Sequence, residues 1–334
     1  MAWRQARDIG WRGRGGAPVS ARADGANPVG PDLDAIADRL LARFESPAYQ
    51  PPALPAAVRA LVALVRRPDA TLEESVALIE RDAYVAAHVQ TLAEREGMAA
   101  GVKVTSLRQA ILFLGLVQVH DRVIDHALET CVFRCGAYAP EMGRLRRHAV
   151  ATAHLARSLA EWAPIEGGLA FVAGLLHDVG IAGSLRLLAE GDGRLVPPPD
   201  VESIWPALER IHARATALMT RRWGLPEELA LAVAGHDACR DADAARPLAA
   251  AVAIANALAH HEGFGLAERE DASVAEPPGR VRSDSGGKDG LAAFDRTPEP
   301  VLERACAILG LDLRARHLVA HRARRELEQL AEST

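Results

Sequence analysis

The amino-acid sequence predicts an all-α fold, a multi-helix bundle with an N-terminal helical subdomain. Three observations carry this expectation. Hydrophobic residues make up 49% of the 334 positions but aromatics only 4%, so the core draws on alanine and leucine, which favour helices over strands. Apolar residues recur at three- and four-residue spacing, with no convincing strand and no internal repeat. Capping residues and stops then cut these stretches into helical lengths.

Residues 1–31 hold Gly10, Gly13, Gly15, Gly16, Gly25 and Gly30 with prolines and five arginines. They lack apolar periodicity and read as a disordered Arg/Gly-rich tail. Residues 32–140 form the N-terminal helical part. It opens with Leu33, Ile36, Leu40 and Leu41 on one helical face between Asp32 and Phe44. Pro55 can start a helix that runs to Val65 and that Pro68 closes. Thr71 with Glu74 three residues on is a capping box for a helix carrying Val76, Leu78 and Ile79. Asp82 caps the next, with Val85, Ala86, Val89 and Leu92 inward. Ser106 starts another, holding Leu107, Ile111, Leu114 and Leu116, and a long segment from Val117 to Cys135 follows. Residues 141–262 form a second bundle with helices at 143–162, 167–178, 202–223, 226–236 and 246–261. Gly224 followed by Leu225-Pro226-Glu227-Glu228 marks a stop and a new start. Residues 263–297 read as a flexible loop, charged and rich in Gly, Pro and Ser from 266 onward. Helices near 299–309 and 312–331 make up a closing part, 298–334.

The charge balance excludes some functions. Net charge is −5, and of the 39 basic residues only Lys103 and Lys288 are lysines. Positive charge gathers in the tail and few aromatics exist for base stacking, which argues against a nucleic-acid partner. No apolar run reaches about 18 residues without charge or breakers, so no membrane span is expected. The N-terminus lacks the apolar stretch of a signal peptide. None of the four cysteines forms a Cys-x-x-Cys pair, which fits a reduced, cytoplasmic chain.

The sharpest chemical feature is Leu175-Leu176-His177-Asp178-Val179-Gly180. A His-Asp pair ends an apolar helix that Gly180 can close, and a metal could sit between the two side chains. His148 upstream and His212 and His236 downstream each fall on a separate predicted helix. A chain with 12 histidines also places some on helices by chance, so packing histidines remain the alternative. His88, His120, His126, His154, His260, His261, His317 and His321 read as surface or packing residues. Cys131 and Cys135, four apart on one helical face, read as small buried hydrophobes or, with a third ligand, as metal donors.

The order His148, His177-Asp178, Asn256 resembles the HD superfamily of metal-dependent phosphohydrolases. Leu54-Pro55 with Val58, then Pro68-Asp69-Ala70-Thr71-Leu72-Glu73-Glu74 and Leu78-Ile79-Glu80-Arg81-Asp82, look like the opening of the HDOD domain, an HD-related output domain. Val104-Thr105-Ser106-Leu107-Arg108-Gln109-Ala110-Ile111 before Leu114-Gly115-Leu116, Ala173 to Gly180, and Trp223-Gly224-Leu225-Pro226-Glu227-Glu228 match as well. The likeness spans roughly residues 50–262. It implies an HD-like helical bundle and a bacterial signalling module acting on a signalling-protein partner or a nucleotide-like ligand. The resemblance further implies that His148, His177 and Asp178 are ligands of a divalent metal (Fe, Mn, Zn or Mg), with Asp178 the residue to act if the site is catalytic. Asn256 occupies the place of the last, aspartate ligand. His212 and His236 fall where related HD-GYP phosphodiesterases hold a second metal or phosphate. Three departures weigh against catalysis: Asn256 lacks the negative charge of aspartate, Ile181 replaces a lysine that would meet phosphate, and Asp237 follows His236 where HD-GYP has histidine. The expected function is therefore a non-catalytic output module, with a metal-dependent phosphohydrolase of nucleotides or phosphoesters as the alternative.

Overall fold

The capping signals act as the sequence predicts. The Thr71 hydroxyl accepts from the Glu74 N–H at 3.2 Å while the Glu74 carboxylate accepts from the Thr71 N–H at 2.9 Å. Asp32, Asp82, Ser106 and Asp200 likewise accept from backbone N–H groups in the first turns of their helices. The computed structural model describes residues 32–67, 69–191, 199–237, 246–265 and 300–332, and among these there are helices and no strand. The expected tail, the loop from 266 to 297 and the stop at Pro68 lie outside the described residues.

The helices are α1 (Leu33–Glu45), α2 (Ala56–Leu64), α3 (Leu72–Glu80), α4 (Ala83–Ala100), α5 (Leu107–Leu114), α6 (Leu116–Cys131), α7 (Ala139–Leu159), α8 (Gly167–Leu176), α9 (Val179–Glu190), α10 (Val201–Arg222), α11 (Glu227–Gly235), α12 (Arg246–Ala259), α13 (Pro300–Ile308) and α14 (Leu313–Glu332). A π-helical turn, His260–Phe264, follows α12 and takes in Gly263 and Phe264 from the expected loop.

Three local expectations are corrected. Leu116 does not continue the helix of Leu107. Gly115, at φ 86°, ends α5 and starts α6 in a conformation that a side chain would strain. Cys131 and Cys135 do not share a helical face, since α6 stops at Cys131. Gly180 does not close the helix of His177. It is the second residue of α9, a helix that the sequence pattern did not reveal.

That last correction has a packing cause. A Cβ on Gly180 would lie 2.4 Å from the His212 carbonyl oxygen and 2.6 Å from Thr216 N. The start of α9 therefore touches the backbone of α10, and only glycine permits the contact. The same device recurs at Gly174 in α8, where a Cβ would lie 2.7 Å from Ala153 Cα and 2.8 Å from the Thr152 carbonyl oxygen of α7.

Helix α8 is the centre of the bundle. Every residue from Leu169 to Leu176 is buried, and α8 packs on α6, α7, α11 and α12. The run Gly167–Glu190 has the length and hydropathy of a membrane span, but 94% of its most apolar window is buried in the protein. It is a core element broken at His177-Asp178. The N-terminal helices join this bundle through several contacts. Arg157 of α7 pairs with the buried Asp121 of α6. Helix α1 lies on α10, with Asp34 paired to Arg210, and Trp223 Nε1 donates to the Pro52 carbonyl at 2.8 Å.

Gly180→Ala should cost about 1–3 kcal/mol through overpacking. Gly143→Ala, on an exposed part of α7 where a Cβ meets nothing within 4 Å, should instead stabilise by about 0.5–1 kcal/mol. Thermal melts of the two variants should move in opposite directions. Equal shifts would contradict the contact at Gly180.

Candidate metal centre

Each histidine of the site is fixed by the end of a helix or by a carbonyl. The last carbonyls of a helix have no partner within it. At the end of α8 the Gly174 carbonyl accepts from His177 Nδ1 at 2.7 Å. At the end of α11 the Val233 carbonyl accepts from His236 Nδ1 at 2.7 Å. His212, within α10, donates from Nδ1 to Glu209 at 2.7 Å, and His148 of α7 donates to the Phe264 carbonyl at 3.0 Å. A carbonyl only accepts, so in all four residues Nδ1 carries the proton. Nε2 is left with the lone pair a metal requires.

These Nε2 atoms converge on Asp178. His177 Nε2 stands 3.2 Å and His148 Nε2 3.8 Å from Asp178 Oδ2, while His212 Nε2 stands 3.6 Å from Oδ1. One carboxylate thus faces two groups, His148 with His177 and His212 with His236, and each trio has its donor atoms within 4.8 Å of one another. Asp237 closes the second group, 3.0 Å from His212 Nε2 and 3.1 Å from His236 Nε2. His148 and His177 are 0% exposed, His236 1%, Asp178 6% and His212 8%.

The donor chemistry fits a divalent cation. His148 Nε2 and His177 Nε2 are 3.2 Å apart. Two lone pairs facing each other at that distance repel unless a cation or proton lies between them. Ligands about 2.1 Å from one ion at ordinary angles are themselves about 3.0–3.4 Å apart. Without metal, protons do the neutralising. Burial opposes charge on His177, but Asp178 outweighs it and raises its pKa. His212, opposed by burial and favoured by the hydrogen bond to Asp237 and the charge of Asp178, is raised to about 9. Burial lowers the pKa of His148 and of His236. Asp178 is held well below the carboxylate range, its burial overcome by His177, His212 and His148. Asp237, whose burial is overcome by His236 and His212, falls to about 2.

Asp178 pays for this role at its helix. It stands at the N-cap of α9 but caps nothing. The Gly180 N–H donates instead to Thr216 Oγ1 at 2.8 Å, so a hydroxyl from α10 frees the carboxylate to face the histidines.

The structure therefore brings together His148, His177, Asp178, His212 and His236. Asn256 sits on α12 with Oδ1 buried and without a hydrogen bond among the described residues. Ile181 is buried in the core. Sequence reasoning assigned no role to two residues near the centre. Asp237 entered only as a departure, although Gly235-His236-Asp237 repeats the His-Asp ending of α8. His260 reads from the sequence as a surface or packing residue, and its ring lies 4.5 Å from that of His148.

The HDOD domain profile matches residues 52–239. A Geobacter sulfurreducens HDOD domain protein of unknown function is similar in structure, with 20% identity, TM-score 0.59, and coverage of 90% of this chain and 98% of that one. A Marinobacter aquaeolei VT8 protein, provisionally described as a signal transduction protein, has 20% identity, TM-score 0.51 and coverage of 89% and 67%. A Shewanella amazonensis SB2B protein, provisionally described as a metal-dependent phosphohydrolase, has 16% identity, TM-score 0.51 and coverage of 86% and 99%. At such identities the likeness establishes the fold alone. No curated protein sequence matches the chain.

In the metal-free protein, a histidine whose folded pKa is raised stabilises fully below its unfolded pKa and loses that contribution as pH rises through the folded value. For His212 that loss runs from about 6.5 through about 9. The gap in melting temperature between metal-free wild type and His212→Asn should be widest near pH 6 and narrow by pH 9.5. A gap that widens with pH would contradict the assignment.

Proposed function

The chain belongs to the HDOD domain family, and from that premise we propose that it is a regulatory output module of bacterial signalling. It acts by binding a protein partner or a nucleotide-like ligand and does not hydrolyse it. His148, His177 and Asp178 hold a divalent metal, and His212 and His236, steadied by Asp237, hold a second metal or a phosphate.

The observation that carries this reading is the burial of the donor set together with what surrounds it. A substrate phosphate needs access and a cation to meet it. The first trio is at most 6% exposed, and the groups acting on Asp178 are histidines. Position 181, where a lysine would serve phosphate, is a core isoleucine. The site's residues thus support metal retention more than turnover. Leu112, Phe113 and Val117 stand exposed around the α5–α6 joint and give a partner apolar surface.

A second reading is favoured by one specific observation, the completeness of the donor set around a carboxylate with one oxygen toward each histidine pair. A divalent ion held there supplies Lewis-acid polarisation of a phosphoryl oxygen and acidifies water. The chain's own part would be to orient the ion through Asp178 and to exclude bulk water by burial. Asp237, 37% exposed at its side chain, is the most exposed of the residues that close on the donors.

Protein loaded with Mn or Fe should retain the ion and turn over no member of a broad nucleotide and phosphoester panel, while a ligand of the module raises the melting temperature. Metal-dependent turnover that disappears in Asp178→Asn would overturn the non-catalytic reading in favour of the phosphohydrolase.

A further inference from the structure

Three of the four histidines at the centre are locked from within their own helices. His177, His212 and His236 each give the Nδ1 proton to the carbonyl three residues earlier, at Gly174, Glu209 and Val233. His148 differs. It lies in the middle of α7, where the helix spends its carbonyls on its own N–H groups. Its Nδ1 donates instead to the Phe264 carbonyl at 3.0 Å, 116 positions along the chain. The orientation of this ligand therefore depends on where the turn His260–Phe264 is held.

The C-terminal helix holds it. Gly263, at φ 90°, takes the chain out of helical geometry just before Phe264. Glu262 precedes it, with a side chain only 11% exposed. Arg324 of α14 meets this carboxylate as a fork: Nε donates to Oε2 at 3.3 Å and Nη2 to Oε1 at 3.4 Å. His261 Nδ1 donates to the same Oε1 at 3.2 Å. Burial opposes charge on the carboxyl, but these two donors outweigh it and keep its pKa below the usual carboxylate range. A forked pair withdrawn from water holds its geometry better than an exposed surface pair.

Helix α14 is in turn tied to the end of α7. Ser158 Oγ donates to Glu326 at 2.6 Å, and Arg322 pairs with Glu161. The contacts close a ring that starts and ends on α7. It runs from Ser158 to Glu326, along α14 to Arg324, across to Glu262, and through Phe264 back to His148.

We propose that Glu262 and Arg324 are positioning residues for the metal centre. Their ion pair clamps the turn to α14 and so keeps the Phe264 carbonyl on His148 Nδ1, which leaves Nε2 as the nitrogen that binds the ion. The proposal rests on reading the cluster as a metal centre. It makes the position of α14 a control on the first ligand.

The test uses the full chain, stripped of metal. Zn²⁺ affinity is read by competition with a chromophoric chelator. Nitrogen-15 spectra of the metal-free, histidine-labelled protein report which His148 nitrogen carries the proton, with its signals assigned by their absence from His148→Gln. Circular dichroism verifies folding. Loss of an outer partner of a metal ligand typically weakens binding about 10–100-fold, and Glu262 stands one contact farther out, so Glu262→Gln should lose about tenfold. Its His148 should no longer show the Nδ1–H form alone. The same substitution made on top of Arg324→Gln should cost nothing more, because the two act through one contact. Arg316→Gln removes a different ion pair of α14, the one to Glu303 of α13, and should leave affinity and spectrum at wild type. Wild-type affinity and an unchanged His148 spectrum in Glu262→Gln would overturn the proposal. So would a loss that repeats in full on top of Arg324→Gln. In either case zinc binding by wild type, lost in His148→Gln, would leave the centre itself standing. Wild type that binds no zinc would overturn both.

Discussion

Two backbone contacts made by glycine determine where the chemistry can be. Gly174 lets α8 touch α7 at Thr152 and Ala153, and Gly180 lets α9 touch α10 at His212 and Thr216. Three residues after the first and two before the second stand His177 and Asp178. Close approach at Thr152 brings His148, four residues earlier on α7, onto His177. Close approach at Gly180 brings His212 onto Asp178. Side chains of ordinary size at either glycine would push the ligand-bearing helices apart, since packed interiors transmit such strain.

Around that frame the polar groups divide their tasks. Each histidine uses one nitrogen to satisfy a carbonyl and keeps the other for the centre, and His177 and His236 in doing so also end their helices. Asp178 is released from capping by Thr216 and spends both oxygens on histidines. A carboxylate so deeply buried is costly unless compensated by positive charge. In the metal-free protein protonated histidines provide it, which is why the raised pKa of His177 and His212 and the depressed pKa of Asp178 occur together. A divalent ion would meet the same demand.

Much of this was legible in the sequence, for identifiable reasons. Caps depend on a few adjacent residues, so Thr71 with Glu74, Asp82, Ser106 and the Gly224–Pro226 boundary could be read directly. The order His148, His177-Asp178, His212, His236 also survived translation into space. What was hidden depends on contacts between distant segments. Gly180 looks locally like a helix stop, and only the presence of α10 explains it as a packing residue at the start of α9. Cys131 and Cys135 look like one face until Val132 and Phe133 leave the helix. Asp237 looks like a surface residue because its significance comes from His212, 25 positions away. The repeated His-Asp ending in Gly235-His236-Asp237 was the available signal.

The central claim is that the histidines around Asp178 form a divalent-metal centre. Anomalous diffraction from crystals of the protein grown with Zn²⁺, recorded on both sides of the zinc absorption edge, tests it most directly. The account predicts an edge-dependent peak about 2.0–2.2 Å from His148 Nε2, His177 Nε2 and an Asp178 oxygen. Well-ordered side chains at those positions with no such peak would contradict it.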